Sequence, residues 1–121
     1  MSKWNKDKAK QWYEGNDWLI GCNYLPSSAI NQLEMFQSES FDREINIKEL
    51  TWAKSLGFNS IRVYLHDLLW NHKSVFKNTL NEFLDICDIL EIKPMIVLFD
   101  DCHRPYPKLG KQPKPVRGVH N

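Results

Sequence analysis

Three short apolar runs, Trp18 to Asn23, Ser60 to Leu65 and Met95 to Phe99, are separated by stretches with helical periodicity. That alternation is the strongest constraint on the fold. Strands joined through amphipathic helices pair in parallel, whereas antiparallel neighbours are usually joined by short hairpins. The first intervening helix is predicted from about Ile47 to Leu56, with Ile47, Leu50 and Ala53 as its apolar stripe and Gly57 as its stop. Asn46 and Glu49 have the spacing of a capping box at its start. Ser74 is the expected N-cap of the second helix, whose face is Phe76, Leu80, Phe83, Leu84, Cys87 and Leu90. Pro94 then favours an extended start to the last strand.

The remaining segments fill in this β-α-β-α-β order. A short helix is expected near Trp4 to Glu14, with Ala9, Trp12 and Tyr13 on one face and Gly15 as its stop. The run Trp18 to Asn23 is nearly continuous in apolar residues, as for a strand covered on both sides. Tyr24 to Phe41 is a long irregular segment, part of it helical through Ile30, Leu33 and Glu34. The text HDLLWNHK reads as a loop, and the basic stretch from Lys108 to Arg117 reads as solvated chain. Long segments follow the first and third strands while the returns are tight. In parallel α/β folds, sites gather at that carboxyl end. Two architectures remain at this point, the opening of a (β/α)8 barrel or half of a doubly wound sheet. A barrel needs roughly 200 residues or more, and the chain has 121. A dinucleotide-binding sheet needs a glycine-rich turn after its first strand, and the text there is GCNYLPSS.

Composition narrows the partners. Sixteen Lys and Arg balance fifteen Asp and Glu, so no electrostatic footprint for nucleic acid or an anionic membrane is expected. No apolar run is long enough to span a bilayer. The N-terminal MSKWNKDKAKQWYEG lacks the apolar centre of a secretory signal, which favours a cytoplasmic product or a chain whose signal is missing. Cys22, Cys87 and Cys102 are odd in number and widely spaced, so free thiols are expected and not a disulfide framework.

Chemistry concentrates in Gly57 to Trp70, GFNSIRVYLHDLLW. Strand alternation sends Ile61, Val63 and Leu65 to one face and Arg62, Tyr64 and His66 to the other. A charge on an interior strand is costly unless it is paired. Arg62 therefore implies a nearby carboxylate or polar site, either a structural ion pair or a functional centre.

This stretch resembles the second strand of glycoside hydrolase family 5 and its cellulase-like relatives, where LGFN-x-[IV]-R recurs. WLIGCNYLPSSAINQLEMF resembles the opening of a bacterial cellulase- or xylanase-like subgroup, and KPMIVLFDDC resembles its third strand. The resemblance runs from about Trp4 to Asn121. It implies a partial (β/α)8 TIM barrel: the first three strands, two crossover helices and an N-terminal capping helix. It further implies a retaining hydrolase of β-linked polysaccharide such as glucan or xylan, without cofactor or metal. Such enzymes use an acid/base glutamate after strand four and a nucleophile after strand seven, their carboxyls roughly 5 Å apart. Neither position is expected in these 121 residues, so they would form the N-terminal part of one barrel domain and be inactive alone. Relatives of this kind are often secreted or periplasmic.

By the same resemblance Arg62 belongs to the supporting shell beneath the nucleophile, where an adjacent guanidinium keeps a carboxylate ionised. Asn23, Tyr24, Glu34, His66, Trp70, Asp101 and His103 would contact substrate. The family's strand-three histidine would correspond to Cys102 or His103. Against these stand simpler readings. Asp100 and Asp101 are neighbours pointing to opposite faces and cannot share one bond. Asp101, Cys102 and His103 are consecutive and make a poor metal site. His66 and His72 suit polar positions at a loop mouth, and Trp4 and Trp12 suit packing beneath a barrel. A different class of reading is a non-catalytic carbohydrate-binding or interaction module that uses the aromatic loop residues.

Overall fold

The computed structural model describes residues 3–98, 100 and 106–118. Its elements in chain order are α1 (Lys6–Glu14), β1 (Gly21–Asn23), α2 (Gln32–Phe36), α3 (Arg43–Ser55), β2 (Ser60–Tyr64), a 3-10 segment (Asp67–His72), α4 (Lys73–Ile89) and β3 (Lys93–Val97). The three strands form one parallel sheet in the order β1-β2-β3. Asn23, Arg62 and Met95 lie in register across it.

Ile61, Val63 and Leu65 are buried with Leu33, Leu50, Phe76, Phe83 and Ile86, so one sheet face carries α2, α3, α4 and the core. The other face is open: Asn23, Arg62 and Met95 are all exposed, Met95 by 55%. Parallel sheets are ordinarily covered on both faces. The half-covered state is the main energetic peculiarity of the chain.

Both crossover helices end in the same way. The Phe58 N–H reaches the Ala53 carbonyl and the Gly57 N–H reaches that of Lys54, with Gly57 at φ 89°. After α4 the pattern repeats, with Ile92 N–H to Cys87 and Glu91 N–H to Asp88. These paired bonds close the last helical carbonyls and turn the chain directly into the next strand. Glu91 takes the left-handed conformation at φ 54° without being glycine. Its carboxylate meets Lys54 Nζ at 2.9 Å, and this exposed pair lowers its pKa. At Gly21 a Cβ would stand 1.9 Å from the Ser60 carbonyl oxygen. Only glycine permits the β1-β2 register at that point.

Several local expectations need correction. Strand pairing begins only at Gly21, and β1 is an exposed edge, not a strand covered on both sides. Trp18 to Ile20 runs beside β2 through the Asn59 side chain instead. Its Oδ1 accepts from Ile20 N–H at 2.7 Å, and its Nδ2 donates to the Trp18 carbonyl at 2.9 Å. Helix α3 starts earlier than expected because Asp42 is its cap, accepting from Ile45 N–H at 3.0 Å, while Asn46 lies buried inside the helix. Ser74 is not an N-cap; α4 begins at Lys73, after the 3-10 segment that replaces the expected loop. Trp4 and Trp12 are not packed away: both are exposed, Trp4 ahead of α1 and Trp12 within it.

Alkaline behaviour follows from the core. Cys87 is 1% exposed, and burial pushes its thiol up to about 12. Burial, reinforced by Glu49, also raises the Tyr24 phenol well above its ordinary range. Both groups are neutral in the fold and ionise more readily when unfolded, so stability is complete below about pH 9 and declines as pH rises toward 12. The thermal midpoint of the parent should therefore fall between pH 9 and 11 more steeply than that of Cys87→Ala. Parallel curves for the two proteins would refute the assignment.

Candidate functional site

On the open sheet face, strand alternation and register bring Asn23 and Arg62 together. The Arg62 Nε donates to Asn23 Oδ1 at 2.8 Å, and its guanidinium lies 5.2 Å from the Tyr64 ring centroid. Among the described residues Arg62 forms no ion pair. The expected burial of this charge is thus corrected: β2 is central in the sheet, but its arginine faces solvent. Leu19, Gly21 and Met95 join the pair around a depression of about 280 Å³. An exposed arginine held by one neutral amide contributes little to folding. Arg62→Ala should change the unfolding free energy by no more than about 0.5 kcal/mol, measured by urea denaturation; a loss several times larger would make it a structural residue.

Of the other predicted contact residues, Tyr24, Glu34 and His66 turn toward the interior. Tyr24 follows Asn23 by one residue and so faces the helices. Its hydroxyl donates to Asn46 Oδ1 at 3.0 Å and approaches Glu49 Oε2 at 3.4 Å, and its ring stacks on Phe83. Glu34 is buried in α2. Its Oε2 accepts from Ile30 N–H at 2.8 Å and its Oε1 from Gln112 N–H at 2.9 Å. His66 is buried; Nδ1 accepts from Leu68 N–H at 3.2 Å and lies 2.9 Å from Asp67 Oδ1, capping the 3-10 segment. Trp70 is 42% exposed. Its ring is approached by Lys73 Nζ at 5.5 Å and Lys77 Nζ at 5.4 Å, so cations already share its faces. Asp101, Cys102 and His103 lie outside the described residues. The Asp100 carbonyl accepts from Gln32 Nε2 at 2.8 Å.

One feature escaped the sequence reading. The 106–118 segment is not simply solvated chain: Gln112 is buried, and Gly110 is held from both sides by the Gln37 amide, at 2.6 and 3.2 Å. Asn31 adds a bond to Gln112 Oε1 at 3.0 Å. No sequence signal announces a pairing across 78 positions; a lone glutamine among lysines and prolines is its only trace. Among the described residues no group of three metal-ligating side chains converges. No described helix is long and apolar enough to cross a membrane. Comparison with family models, with curated proteins and with solved structures finds no match.

Proposed function

We propose that these residues form the first three β/α units of a (β/α)8 barrel that hydrolyses β-linked polysaccharide, with Arg62 and Asn23 on the wall facing the reaction centre. The observation that carries the reading is the half-covered parallel sheet. Helices α2, α3 and α4 lie on one face, and the other face presents Asn23, Arg62 and Met95 in register. An inward barrel face needs such side chains, because the layers inside a barrel are contributed by strand residues of this parity. The bond between Asn23 and Arg62 holds the guanidinium in one orientation. A fixed guanidinium lowers the pKa of a neighbouring carboxylate, which suits a glycosidase nucleophile. Arg62 is then a positioning residue, and none of these residues is assigned as acid/base or nucleophile.

The natural gene product, assayed on aryl β-glucosides, β-xylosides and β-mannosides, tests this. Hydrolysis that is lost on truncation after residue 121, and that Arg62→Ala reduces with a shift of the acidic limb of its pH profile, supports the reading. A natural product that hydrolyses none of the three overturns it.

A second reading, a carbohydrate-binding surface, has one observation in its favour. Trp12, Tyr13 and Trp18 flank an exposed cleft of about 490 Å³ that also carries Glu14, Asn16 and Asp17. Saturable binding of xylan or glucan weakened by Trp18→Ala, without hydrolysis by the natural product, would favour it.

A further inference from the structure

The segments following β1, β2 and β3 meet around a second cavity, on the helix side of the sheet and separate from the Arg62 depression. Phe36 of α2, Leu69 of the 3-10 segment, Val75 and Phe76 of α4, and Leu109 of the docked 106–118 segment give it apolar walls. Its volume is about 300 Å³. A cavity of half that size holds a benzene ring, so this one has room for a ring and a short chain. It lies at the lower end of the range for small-molecule pockets.

The polar rim decides what such a ligand carries. Gln37 lines the cavity, but both ends of its amide are engaged by Gly110. Glu39 is the carboxylate on the rim. It is hydrogen-bonded by its own backbone N–H and by Ser38, and with nearby His72 these hold its pKa below the ordinary range. Its charge is therefore present at neutral pH, and the side chain is exposed at the mouth of the cavity. No Lys or Arg is among the described residues lining the cavity. Among the described lining residues Glu39 is the one carboxylate, with His72 beside it, and an apolar floor with a carboxylate at its edge favours an apolar cation over an anion.

We propose that this cavity is a binding site for small arylalkyl ammonium ligands, the ring against Phe36, Val75 and Phe76 and the ammonium at Glu39. The proposal is independent of the glycosidase reading. It needs only the folded loops after the three strands.

The test uses 2-phenylethylammonium and its neutral counterpart 2-phenylethanol, titrated into the isotopically labelled chain and followed by amide chemical shifts. Saturable shifts are expected at Ser38, Glu39, Val75 and Gly110, with Kd on the order of 1 mM for the cation. Glu39→Gln should weaken the cation about fivefold, the upper range for an exposed charge pair, and leave the alcohol unchanged. Val75→Phe should abolish both by filling the space. Equal affinity of the parent for cation and alcohol overturns the proposal. So does a Glu39→Gln protein that binds the cation as the parent does, or shifts that gather around Trp12 and Trp18. Glu39 is exposed, so its substitution reads out binding even where the cavity-filling variant fails to fold.

Discussion

Truncating Phe83 to alanine is expected to remove most of the chain's stability. The ring is 0% exposed. It stacks on Tyr24 at 6.3 Å and meets Phe36 edge-on at 5.6 Å, and Phe36 in turn meets Phe76 at 6.2 Å. Phe83 thus joins α4 to α2 and to the residue that leaves β1. Losing a buried phenylalanine costs about 3–5 kcal/mol through lost transfer energy and the cavity left behind. Whole domains are stable by only about 5–15 kcal/mol. A sheet with one bare face sits near the bottom of that range, because half of its potential burial is missing. Phe83→Ala should therefore show no cooperative urea transition followed by tryptophan fluorescence. Phe83→Leu, which keeps most of the volume, should retain a transition at lower urea. Ile89→Ala serves as the control, since Ile89 is on the same helix but 75% exposed. If the alanine variants at 83 and 89 have equal midpoints, the aromatic cluster is not what holds the layers together.

The same physics separates what the sequence could disclose from what it could not. Alternation along Ser60 to Leu65 divided the two faces correctly, with Ile61, Val63 and Leu65 buried together, but the expected burial of Arg62 on the opposite face fails, since that side chain is exposed. Periodicity found both crossover helices, and Gly57 marked a true helix stop. These signals are local, being set by residues two to four positions apart. Burial of Trp18 to Ile20 was misread because hydrophobicity reports what a segment would gain by being covered, not whether this chain covers it. Cap identity failed for a narrower reason. Asp42 and Asn46 both precede apolar stripes, and a pattern cannot say which one the helix starts from. Nor can it say that Tyr24 hydrogen-bonds the buried Asn46, which turns two polar residues of suggestive position into parts of the core.

Glu34 is where a functional assignment and a structural one diverge most sharply, and removing its carboxylate should free the 106–118 segment. Two backbone donors, Ile30 N–H and Gln112 N–H, end on its two oxygens. A buried donor left without a partner costs about 1–3 kcal/mol. Glu34→Ala strands both. Glu34→Gln is no milder in kind: its one carbonyl oxygen can serve one donor, and its NH2 then faces the other. The rest of the clasp is not enough to compensate, because the Gln112 side chain bonds mainly to its own segment, at Lys108 and Gly110. Among the described residues, the Asn31 and Gln37 hydrogen bonds would then remain to tie the segment to the ends of α2. Amide exchange at Gly110 and Gln112 should rise about five- to 150-fold in either variant, the factor that about 1–3 kcal/mol of local opening free energy implies. Exchange at Val63 and Phe83, deep in the core, should change far less. A carboxylate whose task is to grip sugar hydroxyls predicts the opposite pattern, with weaker saccharide binding and an unchanged exchange rate at Gln112. An unaltered Gln112 amide in Glu34→Gln would therefore return Glu34 to the binding cleft and leave the docking of the basic segment to Asn31 and Gln37.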